Sequence, residues 1–209
     1  MSLVHLLASF IISFGLLLIA MTVHEFAHGL VAYKLGDSTA RLSGRLTLNP
    51  LAHIDFFWTV LLPLVLFISS SGNFVFGAAK PVPINYQALK NPKRDIIWIG
   101  LSGPLANLIL AFIIAQILKL ALLSGILVYL LLNLLVINVA LALFNLIPIP
   151  PLDGSRVLMG LLPGGLSRQY VSLERYGFII LFAFIWLWVF DRLLWPLAGL
   201  VIRLMGVGY

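Results

Sequence analysis

The sequence contains no cysteine, and only seven of its 209 residues are acidic. The first absence excludes a disulfide framework and any thiolate metal site, so a metal in this chain must rest on histidine and carboxylate. It also leaves the redox compartment unreadable. Charged residues of both signs make up 10% of the chain, where a soluble domain carries about a quarter. The 13 basic residues, which give a net charge of +6, are scattered between apolar spans and form no stripe, which argues against a nucleic-acid partner. Polar connections are short, leaving no room for a second soluble domain. We therefore read 1–209 as a single integral-membrane domain.

What is abundant is apolar: 62% of the residues are hydrophobic. A helix needs about 20 such residues to cross a bilayer, and the stretches 3–33, 96–118 and 126–147 meet that length. Residues 176–190 fall slightly short and 56–70 shorter still, with Pro63 inside. No basic segment precedes the first span, which continues directly into His24, Glu25 and His28, so it differs from a cleavable signal peptide. Gly36 suits a helix C-cap. Residues 72–91 mix short alternating runs, such as Asn73-Phe74-Val75-Phe76, with Gly77, Pro81 and Pro83, a pattern that predicts short strands or a hairpin. The expected fold is an all-α polytopic membrane protein with about four transmembrane helices, a re-entrant or short buried segment and a small strand or hairpin element.

His24-Glu25-Phe26-Ala27-His28 places two histidines four residues apart on one helix face, where they can grip one metal ion. Glu25 lies about 100 degrees round the helix from His24, within reach of a water at the metal without being a ligand. An ionisable carboxylate inside an apolar helix is costly and marks function; residues 3–33 hold no other Asp or Glu. A catalytic zinc site takes three protein ligands, and the third must come from elsewhere. His5 lies about five turns away along the same helix. Asp37, Asp95, Glu174 and Asp191 fall at polar helix ends, where solvated charge is the plainer explanation. Asp153 differs, because Pro148, Pro150 and Pro151 force the backbone out of helical geometry directly after a span, and such backbone at membrane depth must be buried or line a wet cavity. Asp153 is favoured, with His53 and Asp55 as alternatives. Zinc, Asp153 and Glu25 would sum to zero charge, the cheaper arrangement in a low-dielectric site.

His24 to His28, the run Gly103-Pro104-Leu105-Ala106-Asn107, and the run from Asn145 through Pro148, Pro150, Leu152 and Asp153 to Gly154 together resemble the site-2 protease family of intramembrane zinc metallopeptidases. The three motifs keep the family's order over residues 20–155. The sequences Asn49-Pro50-Leu51-Ala52-His53-Ile54-Asp55 and Ala79-Lys80-Pro81-Val82-Pro83 agree with its compact prokaryotic-type branch, and there is no PDZ-like insert. The resemblance implies Zn2+ held by His24, His28 and Asp153, with Glu25 as general base. It further implies that Asn145 and Asn107 place or stabilise the substrate, and that peptide bonds within or next to the transmembrane segments of single-pass membrane proteins are hydrolysed. Asn133 and Asn138 read as polar glue between helices.

If His24, His28 and Asp153 share one metal, the carboxyl ends of spans 3–33 and 126–147 face the same side, so residues 56–70 are expected to dip in and return, or to lie buried against the bundle, without crossing. Lys34, Arg41, Arg45, Lys80, Lys90, Lys93, Arg94, Arg156, Arg168 and Arg175 then fall on that side, ten of the thirteen basic residues. The positive-inside rule makes it cytoplasmic, in a multi-pass protein of the cell membrane with its amino terminus outside. Residues 193–207 read as an interfacial helix anchored by Trp195. Two other classes compete: a membrane metal transporter, which needs several weak sites along a path, and an inactive membrane-protein binder, which would not need Glu25.

Overall fold

The computed structural model describes residues 3–69, 77–120, 124–186 and 189–208. Its first helix, α1 (Leu3–Lys34), runs unbroken for 32 residues through the apolar stretch and both histidines. Gly36 ends it at φ +115°, a left-handed conformation that costs a glycine nothing. There the Asp37 N–H donates to the Ala32 carbonyl at 3.0 Å. A single turn, α2 (Thr39–Leu42), and a 3-10 turn at Pro50–His53 follow. The Asp55 carboxylate then caps the next helical stretch by accepting the Phe57 and Trp58 N–H groups. That stretch, Phe56–Leu61, is wound as a π-helix and continues into α3 (Leu62–Ser69). The remaining helices are α4 (Pro92–Lys119), α5 (Ile126–Asn145), α6 (Asp153–Leu161), α7 (Gly164–Val171), α8 (Gly177–Trp186) and α9 (Val189–Leu204).

Three helices among the described residues, α1, α4 and α5, are long and apolar enough to cross a membrane. The pairs His28 with Ile99 and Ala20 with Asn107 set α4 antiparallel to α1. Small residues bring helices close, and Ala111, Ala115 and Ala198 alternate with Ile114, Leu135, Val139 and Ile202 in the main buried cluster of α4, α5 and α9. Of the expected fourth crossing at residues 176–190, the described part is the helix α8 up to Trp186 and the start of α9 at Val189; residues 187–188 lie outside the described ones. The segment 193–207 packs along α4 and α5, with Ala198 and Ile202 at 2% and 1% exposure, while Trp195 stays on the outer face.

The strand or hairpin expected at residues 72–91 is corrected: there is no β-strand among the described residues. Asn73 to Phe76 lie outside them, and from Gly77 onward the chain is extended, with one 3-10 turn at Tyr86–Ala88. The backbone polar groups of the described part are answered by loops and side chains. Ala78 and Lys80 donate to the Trp58 and His53 carbonyls at 3.0 and 2.9 Å. Val82 donates to Glu25 at 2.8 Å and Asn85 to Asp37 at 2.7 Å. Pro81 and Pro83 have no N–H to give a ladder. The same bonds return the chain beside the start of the Phe56–Leu61 stretch, although Phe67 of α3 has reached Phe10, with ring centroids 4.9 Å apart. Gly77 and the residues after it therefore lie near the start of the Phe56–Leu61 stretch.

Asp37 and Asp95, expected as solvated charges, are buried at 0% and 4% exposure. Each carboxylate satisfies backbone donors that a turn leaves without partners. Asp37 accepts the Thr39 N–H at 2.9 Å as well as that of Asn85, and Asp95 accepts the Asn91 N–H at 2.8 Å. Burial pushes the Asp37 carboxyl up, but the Thr39 and Asn85 hydrogen bonds overcome this and hold it below its ordinary value. The folded state therefore gains stability from Asp37 above the unfolded carboxylate range, and loses it as pH falls through the depressed folded value. Thermal melts of wild type and Asp37→Asn are expected to converge as pH is lowered through that range; a gap that does not narrow on acidification contradicts the assignment. Topology reporters fused after Arg45 and after Lys90 are expected on the same side of the membrane. Opposite sides would mean that Phe56–Ser69 crosses.

Candidate metal centre

The i, i+4 spacing puts the His24 and His28 rings on the face of α1 that meets α4. Directly opposite is Gly103, where any Cβ would collide with the Nε2 atoms of both histidines. Glycine here is a requirement of space, and it lets two imidazoles fit between the helices. Asp153 arrives from the other side as the first residue of α6, delivered by the proline-rich turn after α5. Its neighbour Gly154 presses backbone against the Leu146 and Ile147 carbonyls, leaving no room for a side chain. The amino end of α6 also favours a negative charge.

These elements bring three lone-pair atoms together. His24 Nε2 and His28 Nε2 lie 2.9 and 3.1 Å from Asp153 Oδ2 and 3.0 Å from each other. All three residues are buried, at 5%, 6% and 9% exposure. The remaining nitrogens are committed elsewhere. His24 Nδ1–H donates to Asn107 Oδ1 at 2.7 Å, and His28 Nδ1–H donates to the Ile99 carbonyl at 2.7 Å, tautomers assigned from these acceptors. With the protons on Nδ1, both Nε2 atoms and the carboxylate oxygen present only lone pairs to one another. Three converging acceptors are stable around a shared cation, and one ion with bonds of about 2.0–2.2 Å can reach all three. The donor set therefore fits a metal ion, and it is the one such group of three among the described residues.

Asn107 is wholly buried behind His24. Besides accepting from His24, its amide donates to the Ala20 carbonyl at 3.0 Å and to Asn138 Oδ1 at 2.7 Å. Asn138, in turn, donates to the Leu134 carbonyl at 2.8 Å. Asn107 thus orients a ligand ring, an arrangement that tunes metal affinity in general, and in this structure it does not face an open site. Asn145 donates to Leu141 of its own helix at 3.0 Å and makes no recorded contact with the cluster. Glu25 is half-buried beside the cluster, its Oε2 on the Val82 N–H at 2.8 Å. His53 is buried away from the cluster with Nε2 on the Thr47 carbonyl at 2.9 Å, and Asp55 is occupied as a helix cap. The partners of His28, the Ile99 carbonyl and the neighbouring Ser102 hydroxyl at 3.2 Å, carry no sequence signal that would have found them.

Comparison with known proteins gives a consistent picture. A profile of Peptidase family M50 matches residues 120–188, which include Asp153. The candidate zinc metalloprotease YwhC of Bacillus subtilis (strain 168) is 38% identical over 192 residues, 88% of this chain and 84% of that protein. Two candidate zinc metalloproteases named Rip2 are also similar. That of Mycobacterium tuberculosis (strain Erdman) is 30% identical over 207 residues, 91% of this chain and 75% of that protein. That of Mycolicibacterium smegmatis is 29% identical over 170 residues, 78% of this chain and 62% of that protein. No solved structure matches the chain.

The hydrogen bond to Asn107 gives a direct test of the ring-orienting role. Asn107→Ala is expected to weaken metal binding about 10–100-fold, the usual loss for such partners, in a competition titration against a chelator. Unchanged affinity would detach Asn107 from the metal site.

Proposed function

The chain belongs to Peptidase family M50, the site-2 protease family of zinc metalloproteases, and from that premise we propose a division of labour among its buried polar residues. It is a multi-pass membrane protein and a zinc-dependent metalloendopeptidase, and proteins of this family cleave membrane-embedded substrates. The observation that carries the proposal is the convergence of two imidazole nitrogens and one carboxylate oxygen within 3.1 Å of one another.

His24, His28 and Asp153 hold one Zn2+. Two imidazoles and a carboxylate are a regular ligand set for catalytic zinc, and the absence of cysteine is in keeping with it. When bound, zinc polarises the scissile carbonyl and makes water a better nucleophile near neutral pH. Glu25, next to His24 on α1 but turned off its face, takes the proton from the attacking water and passes it to the leaving amine nitrogen. Water adds across the C–N bond, giving one new carboxyl and one new amino terminus. The base needs one free oxygen, and with Oε2 on the Val82 N–H, Oε1 remains for the proton.

The substrates are single-pass membrane proteins, cut within or next to their spans. A substrate helix has its carbonyls hydrogen-bonded internally, so it must unwind locally before the bond is attacked. Asn145, at the carboxyl end of α5 and partly exposed, is the better placed of the two asparagines to meet such a segment, since Asn107 is saturated. By the sequence reading, ten of the thirteen basic residues fall on the side of the carboxyl ends of α1 and α5, and by the positive-inside rule the active site faces the cytoplasm. Residues 1–209 act as one domain.

Glu25→Gln separates these roles. The amide is nearly isosteric and no ligand is lost, so the purified variant is expected to keep one zinc per chain by elemental analysis. Cleavage of a single-pass substrate is expected to fall about a hundredfold to ten-thousandfold, the contribution of general acid–base catalysis. Wild-type cleavage in this variant would remove Glu25 as the base, and metal flux without proteolysis in the wild type would favour a transporter.

A further inference from the structure

Glu25 is a three-torsion side chain at a partly exposed position of α1, and its usefulness as a base depends on what fixes the carboxylate. One oxygen is fixed by the Val82 N–H at 2.8 Å. The peptide group that supplies this donor is itself held from its other side. Arg45 Nη2 donates to the Pro81 carbonyl oxygen at 3.3 Å and to the Lys80 carbonyl oxygen at 2.5 Å, while Arg45 Nη1 donates to the Ala52 carbonyl. Pro81 C=O and Val82 N–H belong to one planar trans peptide and point in opposite directions. A guanidinium and a carboxylate therefore address the two ends of the same amide.

We propose that Arg45 is a positioning residue for the general base: it fixes the Pro81–Val82 peptide so that its N–H occupies one oxygen of Glu25 and leaves the other free to accept the proton. This rests on the reading of Glu25 as the base. The surrounding chemistry supports it. Pro81 and Pro83 lack N–H groups and have restricted φ, so Val82 carries the single donor of that three-residue run. Charge on the guanidinium polarises the carbonyl it contacts and strengthens the N–H of the same group as a donor. The Val82 side chain is buried against α1, its Cγ1 3.3 Å from where a Cβ on Gly29 would lie, one turn beyond Glu25. The ends of the segment are tied separately, through Lys80 N–H to the His53 carbonyl and Asn85 N–H to Asp37. Arg45 thus governs the middle, where the base is met. A lysine offers a point charge and cannot span three carbonyls as the guanidinium fork does.

The test uses the full chain purified in detergent, with Arg45→Gln, Arg45→Lys, Val82→Pro and the Arg45→Gln/Val82→Pro double variant. Hydrogen–deuterium exchange of the Val82 amide, zinc content, and kcat and KM on a single-pass membrane substrate are measured. Arg45→Gln is expected to speed Val82 exchange and to lower kcat about tenfold, a fraction of what a general base contributes, with KM and zinc content kept. Arg45→Lys is expected to fall between it and wild type. Val82→Pro removes the donor directly and is expected to cost a similar factor in kcat, with little further loss in the double variant, because the two act through one amide. Wild-type kcat in Arg45→Gln, or fully additive losses in the double variant, would overturn the proposal. If Arg45→Gln melts below the assay temperature, Arg45→Lys and Val82→Pro decide it by the same criteria. Normal cleavage in Glu25→Gln would instead overturn the base itself, whatever the Arg45 variants do.

Discussion

Three lone-pair atoms face one another at about 3 Å inside an apolar bundle, and much of the architecture is arranged to make that arrangement tolerable. Bringing two imidazoles and a carboxylate out of water is unfavourable unless a cation lies among them. Their convergence also dictates packing: Gly103 leaves room for the rings, and Gly154 lets the amino end of α6 sit on the last carbonyls of α5. The histidine tautomers are set from outside by Asn107 and the Ile99 carbonyl, so α4 contributes both the space and the orientation. Through Asn107 and Asn138 the same constraint extends to α5.

Around that centre lies a second layer. The loops from Arg45 to Asp55 and the extended segment from Gly77 to Leu89 are bound to each other and to α1 mostly by single hydrogen bonds between side chains and backbone. Val82 and Leu89 add buried apolar contacts at 6% and 5% exposure, Leu89 in a cluster with Ala32 of α1 and Ile99 of α4. His24, His28 and Asp153 stand on helices, whereas Glu25 is met by this layer through the Val82 N–H.

The chemistry of the site was more legible in the sequence than its surroundings. His24, His28 and Asp153 stood out because polar residues in apolar helices and proline-broken backbone at membrane depth are rare and costly, and the structure brings all three together. The strand expected at residues 72–91 did not form among the described residues. Alternation does not disclose a partner, and the polar groups of residues 78–85 meet Glu25, Asp37, Arg45 and loop carbonyls. Asp37 and Asp95 were misjudged for a related reason: position at a helix end does not reveal whether a carboxylate meets water or orphan N–H groups. Asn107 was found by its motif, yet its place behind His24 depends on helix register, which spacing within one helix cannot give.

The account stands or falls on one metal ion bound by two imidazoles from α1 and a carboxylate from α6. X-ray absorption at the zinc edge of the purified protein reads this coordination directly. The account predicts two imidazole ligands at about 2.0–2.1 Å with the rest oxygen, and a single imidazole in His28→Ala. A first shell with no imidazole, or an imidazole count unchanged by that substitution, would contradict it.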